Sequence, residues 1–176
     1  MTSVSNTLTL RAAVPADVPV ILSLIRELAE YEKLTHEVSA SEEALRRDLF
    51  GERPVAEVLI ADWNDAPAGF ALFFANYSTF LARPGIYLED LYVRRALRGH
   101  GIGRALLSRV ATMALARGCG RLEWSVLDWN TPALKFYATL GARAMSEWTI
   151  HRVTGSDLQE LAAATEGQHT TAATRE

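Results

Sequence analysis

Six residues near the middle of the chain, Arg98-Gly99-His100-Gly101-Ile102-Gly103, restrict the fold more than any other stretch. They follow an apolar, β-prone run, Leu88-Glu89-Asp90-Leu91-Tyr92-Val93. They precede a helical pattern over 101–117, with Leu106, Leu107, Val110, Met113 and Ala114 on one face. The unit is therefore strand, glycine loop, helix. A helix start leaves several N–H groups without internal partners, and the helix dipole adds partial positive charge there. An anion such as phosphate binds well at such a place. Glycine lets the backbone come close and adopt positive φ. Arg94, Arg95, Arg98 and Arg104 add local positive charge in a chain whose formal net charge is −3. No Gly-Lys-Ser/Thr follows, so the spacing is not that of a P-loop, and the dinucleotide pattern G-x-G-x-x-G is also absent. On spacing alone, an anion-binding loop and a plain turn both remain open.

The rest of the chain supplies alternating elements. Leu8–Ala12 reads as a first strand. Ile21, Leu24, Ile25 and Leu28 give 15–31 the spacing of an amphipathic helix. Ser39 with Glu42 suggests a capping box for a second helix to about Phe50, ended by Gly51. Two β-prone runs, 56–62 and 69–77, flank Asn64-Asp65-Ala66-Pro67 and predict a hairpin. A strand over 85–93 precedes the glycine loop, and Gly118 ends the long helix. Residues 121–128 predict another strand, alternating at Leu122, Trp124 and Val126. Thr131 as N-cap with Pro132 opens a short helix to Leu140, ended by Gly141. Residues 148–153 predict a last strand. The order is β-α-α-β-β-β-α-β-α-β, an α/β sheet with helices on both faces. No repeat or linker divides it, which predicts one domain over 1–176, with an ordered core over about 8–160 and a frayed Ala/Thr-rich tail over 162–176.

Composition narrows the function classes. The pI of about 5.8 argues against a nucleic-acid surface. No apolar run approaches the roughly 18–20 residues of a membrane span. The polar start over 1–6 has no signal-peptide pattern, so a cytoplasmic protein is expected. Cys119 is the only cysteine, and His36, His100, His151 and His169 are too scattered for a metal cluster. No metal is expected. His100 reads as exposed and incidental, and Trp63, Trp124 and Trp129 as packing.

The run from Val93 to Gly103 resembles the acyl-CoA-binding motif of GNAT-type N-acetyltransferases, R/Q-x-x-G-x-G/A after a strand ending in Val. Asn130-Thr131-Pro132-Ala133-Leu134-Lys135-Phe136-Tyr137-Ala138-Thr139-Leu140-Gly141-Ala142 resembles a second motif of that family, N-x-x-A-x-x-F-Y-x-x-x-G-F/A. Two motifs in order, about thirty residues apart, are far more specific than either alone. Glu27-Leu28-Ala29-Glu30-Tyr31-Glu32-Lys33-Leu34, then Leu88-Glu89-Asp90, Asp128-Trp129-Asn130 and Trp148 are similar to the spermidine/spermine and thialysine acetyltransferases. The C-terminal tail departs from them.

The resemblance implies a mixed, mostly antiparallel sheet, splayed where the strand ending at Val93 parts from the strand after Arg121. It implies acetyl-CoA as co-substrate, lying in that notch. Backbone groups of Leu91, Tyr92 and Val93 would meet the pantetheine arm, and an N–H near Leu91 would polarise the thioester carbonyl. Arg98, Gly99, Gly101, Ile102, Gly103 and Arg104 would hold the pyrophosphate, and Asn130 the pantetheine. A primary alkylamine has a pKa near ~10.4, so about one molecule in 10³ is neutral at pH 7 and a base is useful. Glu89 is the candidate base, against a solvated strand residue or a partner for Arg121. Tyr137 is the candidate acid for the leaving thiolate, against simple packing beside Phe136. Tyr31, Glu32, Glu89, Asp90, Asp128 and Trp148 are candidates for a cationic-substrate pocket, though acidic residues are ordinarily surface. The resemblance implies a homodimer; whether the dimer completes the pocket stays open at this point.

Three activities remain open at this point. One is acetylation of a small cationic amine: a polyamine, a diamine or a thialysine-like amino acid. Another is acetylation of a protein or another small molecule. The third is a non-catalytic acyl-CoA-binding regulatory module, against which the presence of both Glu89 and Tyr137 counts.

Overall fold

The computed structural model describes residues 6–164. The chain divides into a unit running to Leu127 and a second from Asp128.

In the first unit the elements are β1 (Leu8–Ala12), α1 (Val18–Glu32), α2 (Glu42–Phe50), β2 (Glu57–Trp63), β3 (Ala66–Ser78), β4 (Arg83–Val93), α3 (Ile102–Ala116) and β5 (Leu122–Trp124). They form one five-stranded sheet in the order β1-β2-β3-β4-β5. Every pair is antiparallel except β4 with β5, which run parallel. A parallel pair needs a crossover, and α3 supplies it.

Local chemistry sets the joints. Asn64 and Asp65 both take positive φ, 51° and 63°, as a two-residue primed hairpin turn requires. Ala66 and Pro67 already belong to β3, so the turn is tighter than the four residues expected. Ser41, not Ser39, caps α2: its hydroxyl accepts the Ala44 N–H at 3.2 Å. Gly118 takes φ +69° just past α3 and releases the chain into β5.

Two layers of helix cover the sheet. Ile21 and Leu24 of α1 and Leu49 of α2 bury against Val58, Ile60, Phe70 and Tyr92. Strand alternation turns Ala71, Phe73 and Leu88 the other way, and all are buried. There α3 runs over β3 and β4 and buries Ile102, Leu106 and Val110. Arg11 on β1 fastens one end: it donates to Asp17 at 2.7 and 2.9 Å and to Asp62 on β2 at 2.7 Å.

In the second unit α4 (Thr131–Ala138) and α5 (Gly155–Ala163) are the regular elements among the described residues. Asn130, rather than Thr131, is the N-cap of α4; its side-chain oxygen accepts the Ala133 N–H at 3.3 Å. This moves Pro132 from the first helical position to the second.

Two strand expectations need correction. β5 spans Leu122–Trp124 instead of 121–128, and 148–153 forms no strand. Alternation marks a segment that can lie on a sheet, but a strand also needs a neighbour to pair with, and that is not written in the segment itself. The helix α5 was not anticipated, since its apolar residues are too few to stand out from the tail. Of the tail expected to fray, 165–176 lies outside the described residues.

Candidate functional site

The site begins with a fault in the β3–β4 ladder. Leu72 pairs with Asp90, but the next residue, Phe73, pairs with Leu88. Glu89 is therefore an extra residue, a β-bulge. Its effect is to switch faces. Leu88 lies with Phe73 on the α3 side, whereas Asp90 and Tyr92 lie with Leu72 and Phe70 on the α1 side. Were Glu89 paired as an ordinary residue instead, Leu88, Asp90 and Tyr92 would share one face.

The other edge of β4 changes at the same place. β4 pairs with β5 only at Ile86, Tyr87 and Leu88. From Glu89 to Val93 no strand among the described residues lies beside its β5-side edge. The β4–β5 pairing ends at the bulge, the place where the resemblance implies a splay.

Three carboxylates gather there. Asp90, half-buried near the open edge, feels the negative charges of Glu89 and Glu32. Burial first, and those two charges second, push its carboxyl up to about 7. Burial also raises Glu32, at the end of α1. Glu89 is exposed. Its alternative role as a partner of Arg121 is not realised, because Arg121 lies 2.8 Å from Glu123. Tyr31, Glu32, Glu89 and Asp90 are thus brought together in the first unit.

Beyond Val93 the glycine loop forms as the sequence suggests. Gly99 and Gly101 have φ of +84° and +81°, and open space surrounds the place a Cβ would occupy on each. Conformation, not crowding, is what demands glycine here. Gly101 caps α3, whose first ladder bond runs from the Ala105 N–H to the Gly101 carbonyl at 2.9 Å. The N–H groups of Ile102 and Gly103 precede that bond and sit at the positive end of a 15-residue helix. An open cradle at a helix start, next to that strand edge, fits a long phosphate-bearing thioester such as acetyl-CoA. The loop would take the phosphates and the edge of β4 the amide-bearing arm.

The arginines divide the labour unexpectedly. Arg94 turns away from the loop and binds Glu27 at 3.1 Å and the Pro67 carbonyl at 2.8 Å. It is a tie between α1 and the β2–β3 hairpin, so it adds little free charge to the cradle. Arg98 donates from Nε to the Val93 carbonyl at 3.0 Å, with its guanidinium 4.3 Å from the centre of the Tyr31 ring. Arg104 is exposed in the first turn of α3.

Sequence reading missed two supports. His100 is exposed but not incidental: its Nδ1 lies 3.3 and 3.2 Å from the Leu97 and Arg98 carbonyls, and its ring meets Trp63 at 5.2 Å. It fastens the loop to the end of β2. Glu27, which holds Arg94, was quoted only for its resemblance. No local pattern signals either, because both contacts join residues far apart in sequence.

In the second unit, Asn130 is buried at the start of α4 and Tyr137 is half-buried on that helix, its ring 5.3 Å from Phe136. Asp128 is exposed, and Trp148 is 70% exposed. Trp129 is half exposed. Among the described residues no group of His, Cys, Asp and Glu could hold a metal ion, and no helix is long and apolar enough to cross a membrane.

Residues 22–142 match the Acetyltransferase (GNAT) family. The chain is 45% identical over 164 residues to a thialysine N-epsilon-acetyltransferase of Bos taurus, covering 87% of this chain and 96% of that protein. It is 34% identical over 197 residues to the L-ornithine N5-acetyltransferase of Arabidopsis thaliana, covering 86% of each. Its fold is similar to that of an integron cassette protein from the mobile metagenome of V. cholerae, with a TM-score of 0.74 and 28% identity over 88% of this chain and 97% of that one. The glycine cradle, the half-paired strand and these relationships agree: the chain belongs to the GNAT acetyltransferase family and is an N-acetyltransferase that uses acetyl-CoA.

Proposed function

We infer that this enzyme acetylates a primary amine of a small cationic molecule, a diamine, a polyamine or a thialysine-like amino acid, by direct attack within a ternary complex. The observation that carries this reading is the carboxylate group Glu32, Glu89 and Asp90 at the open end of β4. Such a group attracts a cation and disfavours an anionic or neutral acceptor. The relatives named for thialysine and ornithine act on amines of this kind. The family match crosses from the first unit into the second, which supports reading the chain as one acetyltransferase domain.

When bound, acetyl-CoA supplies an acetyl thioester. The residues of this chain do the rest. Backbone groups of Leu91, Tyr92 and Val93 hold the pantetheine arm along the open edge, with Asn130 a further partner. Only the backbone of Tyr92 can serve, because its ring is buried in the core. The N–H near Leu91 faces the carbonyl oxygen as negative charge grows on it, a contribution often larger than any other. Arg98, Gly99, Gly101, Ile102, Gly103 and Arg104 take the pyrophosphate. Glu89, exposed at the bulge, takes a proton from the incoming ammonium, directly or through water. Tyr137 gives its phenolic proton to the departing thiolate. In the first unit Tyr31, Glu32 and Asp90 receive the remainder of the amine; in the second, Asp128 and Trp148 are the candidates for it. A homodimer is supported by large apolar side chains left exposed in the second unit, Ile150, Leu158 and Leu161 among them.

The test is release of CoA, followed with a thiol reagent, across spermidine, putrescine, thialysine, lysine and a lysine-containing peptide. Turnover should be highest with one of the first three. A preference for the peptide would replace this reading with a protein acetyltransferase.

A further inference from the structure

Arg98 is the first residue of the phosphate-loop motif, yet its side chain points back toward α1. Its guanidinium lies 4.3 Å from the ring centre of Tyr31 and 5.6 Å from that of Tyr92. Arg95 approaches Tyr31 from 5.6 Å as well. Tyr31 is the penultimate residue of α1, and the next residue, Glu32, is within electrostatic reach of Asp90. One side chain therefore touches the cofactor loop and the amine-facing end of a helix.

The chemistry of the guanidinium permits both contacts at once. Its face stacks on aromatic rings, while its N–H groups radiate from the edge. Of five N–H donors, one goes to the Val93 carbonyl. The outer donors can meet a phosphate on the loop without breaking the stack. An anion on the edge would hold the guanidinium still, and the guanidinium would hold Tyr31.

We propose that Arg98 is a positioning residue that couples the two substrate sites: phosphate on the glycine loop fixes Arg98, and Arg98, through Tyr31, fixes the end of α1 that carries Glu32. This rests on the reading of the loop as the CoA site. It assigns Arg98 a second duty, setting the wall against which the amine is received.

Hydrogen exchange of amides 29–34, with and without saturating CoA, tests the coupling without depending on turnover or on the identity of the amine. In the wild type and in Tyr31→Phe, which keeps the ring, CoA should slow exchange there about three- to fivefold, in keeping with an exposed cation–aromatic contact. In Tyr31→Leu and in Arg98→Gln, which has no cation to set on the ring, CoA at saturation should bind by calorimetry, more weakly in Arg98→Gln, but leave that exchange unchanged. Arg98 is exposed, so Arg98→Gln should fold and keeps the test standing if Tyr31→Leu folds poorly. Equal slowing in saturated Arg98→Gln, or none in the wild type despite bound CoA, overturns the coupling alone. Absence of any CoA binding to the wild type overturns the cofactor reading and the coupling together, so calorimetry separates the two failures.

Discussion

Ile86–Leu88 and Asp90–Val93 belong to one strand and are paired differently. The first three residues have β3 on one side and β5 on the other; the last four have β3 alone. Ile86 and Leu88 are fully buried, while Asp90 and Leu91 remain partly open. The first half of β4 holds the sheet together. The second half leaves that edge unpaired among the described residues, the edge proposed to receive acetyl-CoA. The single extra residue between them, Glu89, both shifts the side-chain phase and carries the candidate base.

The severest way to break that comparison is to delete Glu89. Leu88 and Asp90 would become neighbours, still opposite Phe73 and Leu72, so the later side chains keep their faces and Tyr92 stays in the core. What goes is the bulge, with the local bend and extra twist it gives the strand, and with it the candidate base. The deletion should therefore fold and melt close to the wild type, yet lower kcat about 10⁴-fold, more than loss of the carboxylate alone, because the backbone beside the open edge is re-aimed as well. A deletion variant that turns over no more slowly than Glu89→Gln would show that the bulge is ornamental.

Glu89→Gln leaves the backbone alone and asks what the side chain does. It should lower kcat about 100-fold with CoA affinity unchanged within about twofold, and steepen the dependence on pH, since free amine must then be supplied by solvent. Tyr137→Phe should likewise lower kcat by about 100-fold with little change in CoA affinity. Wild-type turnover in either variant removes that residue from proton transfer.

How far the sequence revealed this depends on how local each feature is. The glycine loop and the helix stop at Gly118 are set by short-range backbone demands and formed where the spacing predicted, while α4 ends at Ala138, two residues short of the expected Leu140. The candidate site was legible at Glu89 and Asp90 only through resemblance, because nothing in Leu-Glu-Asp-Leu announces a bulge. A bulge is a relation between two strands, and the second strand is far along the chain. The same holds for Arg94, read as loop charge and found on Glu27, and for His100, read as incidental and found against Trp63. The strand expected over 148–153 failed for the converse reason. Its alternation is real, but pairing is not a property of one segment.

Two glycines sharpen the contrast between the halves of β4 at smaller amplitude. Gly85 precedes the fully paired half, where an added Cβ would lie 2.3 Å from the Asn76 side-chain oxygen and 3.3 Å from the Arg121 carbonyl. Gly101 lies beyond the open half, with φ +81° and empty space around it. Gly85→Ala should lower the melting temperature and leave the CoA dissociation constant of the folded protein unchanged. Gly101→Ala should cost about 1–2 kcal/mol of backbone strain and weaken CoA about tenfold as the loop relaxes away from positive φ. Thermal melts and calorimetric titrations on both variants separate the two effects.

The gentlest perturbation is Asp90→Asn, which touches only the charge on the open half. Burial and the charges of Glu89 and Glu32 let the folded Asp90 keep its proton up to about pH 7, whereas an unfolded aspartate loses it near about 3.9. Between those values the folded state binds the extra proton, so stability falls as pH rises through the window. Above it, the wild type carries an unfavourable charge that asparagine lacks. Asp90→Asn should therefore match the wild type near pH 4 and exceed it at pH 8. Because the side chain is only half-buried and water screens it, the gain should be about 1–2 kcal/mol rather than the full equivalent of the shift. Amine binding should move the other way. The same substitution should raise KM for a cationic amine more at pH 8 than at pH 6, because only at the higher pH does the wild-type residue offer a full negative charge. Denaturant melts of both proteins at pH 4, 6 and 8, with amine KM at the two higher values, measure both halves of the trade. A variant that loses stability at pH 8 would mean that Asp90 is held as a carboxylate by a partner, and that the open end of β4 is less acidic than its three carboxylates suggest.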